Sequence, residues 1–271
     1  VMSKCHNNVQ KNHIAKEAAE LFWDGDFMEK LDQDMYTLGF TNGIIDLQTG
    51  EFREGRPLDY ISKSTEIPYL DDKSMKEPIN VKYYQSDLVF DPIGATNYPN
   101  LWHRGFPLDQ LKNRKYNKYI SKTIVPDVQA DFWNGDPDID AVCRMEHAPE
   151  CQFEKAYFPM ASSSFSPFNS QNTFINKNYL KDYFLFPHIG RMDDIWASYY
   201  LQAKGAKVVY GKPSVYQDRN EHDLIEDMKK EYLGYEQNSN LLRSLKIDSE
   251  NIKKFLPKRS WEAFIRYKSH F

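Results

Sequence analysis

The chain has little cysteine, no long apolar run, no excess of basic charge and no phosphate-loop motif. Each gap removes a class of function. Three cysteines in 271 residues (Cys5, Cys143, Cys151) cannot build a disulfide framework, and the odd count suits a reducing compartment. Cys143-x3-His147-x3-Cys151 lacks the closely spaced pairs of a zinc module and shows no fourth ligand, so scattered thiols are the better reading. No stretch reaches the roughly 18 apolar residues of a membrane span, and Val1-Met-Ser-Lys-Cys-His6 has no apolar signal core. The first residue is Val1 rather than Met, as in a processed or excised piece. A net charge of −4 gives no global field toward nucleic acid or anionic lipid, although local patches are compatible with it. The pattern G-x-x-x-x-G-K-[ST] occurs nowhere, which excludes a phosphate cradle of that kind.

What remains is an ordinary globular composition: 41% hydrophobic and 27% charged, with aromatics high at 15% through 18 Tyr and 17 Phe. The length suits one large or two modest domains. The most distinctive stretch is Gln129-Ala-Asp-Phe-Trp-Asn-Gly-Asp-Pro-Asp-Ile-Asp-Ala141. Pro137 stops a regular helix and pushes Asp136 toward an extended conformation. An extended Asp136-x-Asp138-x-Asp140 run would send its carboxylates to one face, where they could hold a hard cation or sugar hydroxyls. The alternative is a solvated acidic loop with a turn at Asn134-Gly135.

In chain order, residues Asn8 to Leu31 have apolar positions at helical spacing. Leu38 to Arg53, with turn signals at Asn42-Gly43 and Thr49-Gly50, reads as a β-hairpin. Arg56 to Thr65 reads as extended, and Leu70 to Pro78 as a charged linker. Arg104, beside Gly105, is either a fork for phosphate or a structural arginine on loop carbonyls. Asn169, Ser170, Gln171 and Asn172 form either a hydrogen-bonded turn or a polar ligand site. Residues 194–203 fit a helix with Ile195, Tyr199 and Leu201 inward; Asp193 and Asp194 at its start either cap it or offer a base. Lys207 to Tyr210 is a short strand, and a further helix spans Asp223 to Tyr232. His222 is a ligand or proton shuttle, or neither. The tail from Leu242 to Phe271 reads as helical and packed on the surface.

Two resemblances follow from these residues. Gly39-Phe-x-Asn-Gly-x-x-Asp-Leu-x-Thr-Gly-Glu-Phe-Arg53 and Arg56-Pro-x-Asp-Tyr-Ile-Ser-x-Ser-Thr65 resemble the segment preceding the helicase core in poxvirus-type and giant-virus primase-helicases. That resemblance covers about residues 1–70 and implies a replication-associated helix–hairpin module from a large DNA virus, with the motor missing. Residues about 83–236 resemble a glycosyltransferase-like family that includes the plant Golgi STELLO proteins and, distantly, the reversibly glycosylated polypeptides. The matching blocks are Trp102-x-Arg-Gly-Phe-Pro-Leu108, Gln129 to Arg144, Pro167-Phe-Asn-Ser-Gln-Asn-Thr173, Arg191-x-x-Asp-Ile-Trp196 and Gln217-x-Arg-Asn-x-His222.

The second resemblance implies a nucleotide-sugar donor, a glycan or protein acceptor and a divalent cation, Mn or Mg. By it, Arg104 lies near donor phosphates, and Asp136, Asp138 and Asp140 shape the sugar pocket. Asn169, Gln171, Asn172, Arg191 and Arg219 bind substrate, Asp194 with Asp193 supplies the base, and His222 completes a metal or diphosphate site. The family's donor-binding half with its D-x-D motif is replaced here by the first module. The resulting expectation is an α/β chain: a small α+β helix–hairpin module at 1–70, a junction at 71–82, an incomplete GT-A-like domain at 83–240 and a helical tail at 241–271. The function expected is sugar transfer. The alternatives are a DNA-replication module, with nucleic acid contacted through residues 1–70, or a non-catalytic sugar-binding scaffold. With no membrane segment, the expected location is the host cytoplasm or the virion.

Overall fold

The computed structural model describes residues 8–21, 24–65, 69, 77–114, 116 and 118–271. The chain divides into two compact units, Val1–Asp71 and Asp72–Phe271. Residues 70–76 of the linker expected at Leu70 to Pro78, with the Asp71-Asp72 pair, and Cys5 lie outside the described residues.

In the first unit the expected single helix is two. Helix α1 spans Asn8–Leu21 and the one-turn α2 spans Phe27–Lys30. The break falls at Asp24-Gly25-Asp26, where the Asp24 carboxylate accepts the Asp26 N–H at 3.1 Å and an ion pair from Lys30 at 3.0 Å. Asp and Gly both favour such turns over helix continuation. The expected hairpin gains a third strand: β1 (Thr37–Phe40), β2 (Gly43–Asp46) and β3 (Phe52–Arg53) form an antiparallel meander. Phe52 stacks on Tyr69 at 4.3 Å between ring centroids, and Phe40 meets Tyr69 edge-on at 5.3 Å. The Asn42 side chain donates to the Tyr69 carbonyl at 3.0 Å and accepts its N–H at 2.7 Å, completing both backbone groups.

The second unit is a mixed α/β domain built on one six-stranded sheet. Its strands are β4 (Ile79–Tyr84), β5 (Ile120–Ile124), β6 (Val128–Gly135), β7 (Met160–Ser162), β8 (Thr173–Ile175) and β9 (Val208–Gln217). The order is β5-β4-β7-β9-β6-β8, with β6 parallel to β9 and β4 parallel to β7. Among the described residues four α-helices accompany it: α3 (Ala141–His147), α4 (Asp193–Ala203), α5 (Leu224–Ile247) and α6 (Lys258–Lys268). Helix α4 is buried over the whole of Asp194–Leu201, so it is a central core helix rather than a surface one.

Three expectations change here. Asn134 and Gly135 belong to β6 instead of forming a turn, and Gly135 pairs with both Gln217 and Cys151. The strand expected at Lys207–Tyr210 continues to Gln217, past a register shift opposite Asp131 and Trp133. Gly211 and Pro213 look like turn residues in sequence, but a bulge accommodates both within a strand. Finally, the tail belongs to the core. Helix α5 runs unbroken through residue 240, and Leu241, Leu242, Leu245, Ile252 and Phe264 are buried with Trp196 and Tyr200. Alanine at Leu242 is therefore expected to cost about 3 kcal/mol in urea unfolding of the intact chain. A loss below about 1 kcal/mol would place the tail outside the core.

Candidate functional site

Strands β6 and β9 are parallel, so their C-terminal ends open on the same edge of the sheet, the usual position of ligand crevices in open α/β sheets. The loop 136–140 follows β6, Arg219 follows β9, and α4 begins alongside with Asp193 and Asp194. Here a cleft of about 290 Å³ is lined by Arg104, Asp138, Gln171, Gly190, Arg191, Asp193, Asp194 and Arg219. Seven of those eight side chains were singled out in the sequence. The structure brings them together from five separate segments.

Their chemistry differs from the expectation. Arg104 donates from Nε and Nη2 to Asp138 at 2.9 and 3.1 Å, and from Nη1 and Nη2 to Asp194, both at 3.0 Å. Its Nη1 also donates to the Arg191 carbonyl. All five guanidinium N–H groups are thereby used. Arg104 is thus the structural arginine of the two sequence readings, with no donor left for a phosphate. The same clamp holds both oxygens of Asp194, whose Oδ2 also accepts the Ser170 N–H at 3.2 Å. A carboxylate held this way is poorly placed to take a proton from a substrate. The Asp193 carboxyl is less constrained: burial first, then the adjacent Asp194 charge, raise its pKa.

The backbone that carries these arginines is fixed by two glycines. Gly105 has φ +87°, and a Cβ there would lie 2.2 Å from Ile195 Cγ2. Gly190 has φ +64° and would meet the Lys230 carbonyl oxygen at 2.1 Å. Both positions combine left-handed backbone with close approach, which only glycine tolerates without strain.

Asp136, Asp138 and Asp140 do not share a face. Gly135 has a φ of +90° and the following loop is irregular, so the two-residue alternation of an extended strand is lost. Asp136 pairs with Arg144 at 2.7 Å, with Arg219 Nε 3.6 Å away. Asp138 turns inward to Arg104, accepts Asn169 Nδ2 at 2.7 Å, and has His103 Nε2 at 3.8 Å. Burial alone would raise the Asp138 pKa, but the charge of Arg104 holds it well below the carboxylate range. Asp140 caps α3 through the Cys143 N–H at 2.8 Å and accepts Trp102 Nε1 at 2.6 Å. Burial pushes its pKa up to about 7 despite those two donors, with the nearby Glu231 charge adding to the rise.

Of the amide cluster, Asn169 forms a tight turn by accepting the Gln171 N–H at 2.9 Å, and Asn172 donates to the Phe132 carbonyl and to Ser214 Oγ, stitching β6 to the end of the bulge. Gln171 alone of that cluster faces the cleft. His222 lies against Asp227 at 2.8 Å. Among the described residues, no group of three or more His, Cys, Asp or Glu side chains is arranged to hold a metal ion. Cys143 and Cys151 are free and buried, and burial pushes each thiol up to about 12.

The sequence reading missed one face of α5. Asp227 and Glu231 receive Arg191 at 3.2 and 2.8 Å; Glu231 also accepts the Ala141 N–H and the Tyr235 hydroxyl, and Asn238 donates to the Gly105 carbonyl. Positions 227, 231, 235 and 238 follow helical spacing. A polar stripe on that period is legible in the sequence.

Comparisons with known proteins address the N-terminal part. Residues 1–102 match the family model described as D5 N terminal like, and this match runs past the unit boundary to Trp102. A protein of Acanthamoeba polyphaga mimivirus described as a candidate helicase is 40% identical over 80 residues, 28% of this chain and 8% of that protein. Candidate helicases of Invertebrate iridescent virus 6 and Frog virus 3 are 34% and 37% identical over 79 and 60 residues, 29% and 22% of this chain. The matched stretch covers 8% and 6% of those two proteins. The expected pre-helicase resemblance is therefore found. The glycosyltransferase assignment is corrected: the matching family and relatives are of D5 and helicase type, and none supports sugar transfer. Among the described residues no helix is long and apolar enough to cross a membrane.

Two outcomes test the site's physics. Arg104→Met strands Asp138 and Asp194 as buried uncompensated charges and is expected to destabilise the chain by at least about 3 kcal/mol in urea unfolding. Asp140 has a folded-state pKa above its unfolded value, so its contribution is fully present below about pH 4 and is lost as pH rises through about 7. Unfolding at pH 5 and pH 8 should show this component, on the order of 2 kcal/mol, in the natural chain. It should be absent from Asp140→Asn.

Proposed function

We propose that this chain serves viral-type DNA replication as a primase-helicase-like module. The observation that carries the reading is the match of residues 1–102 to the D5 N terminal like family, together with the helicase descriptions of the relatives. The sequence contains no G-x-x-x-x-G-K-[ST], so nucleotide-driven translocation is not assigned to these residues.

Charge decides how such a module would meet DNA. Residues 1–71 hold seven Lys and Arg against thirteen Asp and Glu, net −6. An acidic unit cannot attract the phosphate backbone through its overall field. Contact has to run through local points, and among the described residues the exposed Lys11 and Lys16 of α1, with Arg56 and Lys63 after the meander, are cations available for it. Arg53 is already engaged by Asp59 at 2.7 Å.

Fluorescence anisotropy of the intact chain on a forked DNA tests the reading. Saturable binding is expected that weakens several-fold between about 50 and 200 mM salt. The combined changes Lys11→Glu, Lys16→Glu, Arg56→Glu and Lys63→Glu should weaken it at least tenfold. Absence of salt-sensitive binding at the lower salt would overturn direct DNA contact by this chain.

A further inference from the structure

We propose that the cleft at the C-terminal ends of β6 and β9 binds a phosphate-bearing small molecule, with Arg219 as the residue that takes the phosphate. The inference is independent of the replication reading, because it rests on the second unit alone.

Four guanidinium groups surround the loop 136–140, and three of them hydrogen-bond carboxylates. Arg104 is clamped by Asp138 and Asp194, Arg144 holds Asp136 at 2.7 Å, and Arg191 lies between Asp227 and Glu231. Arg219 is left over. Its side chain is only 11% exposed, its one ion-pair contact, to Asp136 Oδ1, is at 3.6 Å and too long for a hydrogen bond, and its Nε and Nη2 are buried without a hydrogen-bond partner. A buried cation in that state has lost its hydration and received little in return. Burial lowers its pKa, and the neighbouring Arg144 and Arg191 push the same way, against Asp138 and Asp136.

An oxyanion entering the cleft restores what Arg219 lacks. The guanidinium fork matches two phosphate oxygens, and Arg191, on the same wall, adds a second positive charge. The Gln171 amide and the Asp193 carboxyl line the rest of the cleft and suit the hydroxyl groups of a phosphorylated sugar or nucleoside. A volume of about 290 Å³ accommodates a ligand of that size. The enclosure of Arg219 favours a free small molecule over the backbone of a polynucleotide.

Calorimetric titration of inorganic pyrophosphate and inorganic phosphate into the intact chain tests this. Saturable binding is expected, together with a pyrophosphate-dependent rise in melting temperature. Arg219→Gln should weaken binding at least tenfold and leave the melting temperature of the unliganded chain unchanged or higher, since it removes a poorly compensated charge. Arg219→Lys, which keeps the charge but not the fork, should bind between the two. Arg243→Gln, at an exposed arginine of α5 that does not line the cleft, should bind as the natural chain does. The proposal is overturned if neither anion binds saturably, or if Arg219→Gln binds unchanged. It is equally overturned if Arg219→Gln loses stability as Arg104→Met does, for Arg219 would then be structural. Displacement of pyrophosphate by a single-stranded oligonucleotide would overturn the small-molecule assignment.

Discussion

The second unit depends on one buried guanidinium. Arg104 ties the loop after β6 to the start of α4, and through the Arg191 carbonyl to the segment before that helix. Each ion in this cluster has lost its hydration, so the arrangement is tolerable only because every guanidinium N–H meets an acceptor. Such a cluster has little freedom to trade partners during a reaction. It fixes a cleft wall and leaves the chemistry of the cleft to the groups it does not hold.

Those groups are few. Arg191 is braced from α5 by Asp227 and Glu231, and Asp136 by Arg144. Against that braced background Arg219 and Asp193 stand out, one a cation short of acceptors and the other a carboxyl with a raised pKa. Charged groups in neighbouring positions thus divide into those that build the site and those that face its contents. Their environment makes the division, since the residue types are the same on both sides.

The two units differ in electrostatic character as well as in fold. The first is a small meander with an acidic balance, similar in sequence to a segment of much larger viral proteins; the second is a six-stranded α/β domain with its own core. Likeness to a replication protein over residues 1–102 says nothing by itself about the cleft built by residues 104–219. The cleft has to be read from its own geometry.

The sequence alone determined the local features. Turn residues at Asn42-Gly43 and Thr49-Gly50 marked the meander, helical spacing marked α4, and the Gly39–Thr65 pattern marked the replication-type segment. It also named most of the residues that line the cleft. Which of them pair, and so what each can do, was decided only by the tertiary structure. Arg104, Asp138 and Asp194 lie 34 and 56 residues apart along the chain, and no local rule distinguishes a clamped guanidinium from an open one such as Arg219. The bulge that carries β9 past Pro213, and the burial of the tail from Leu241 to Phe264, are likewise contacts with distant elements. Propensity and periodicity act over a few residues, whereas desolvation and ion pairing depend on which segments the fold brings together.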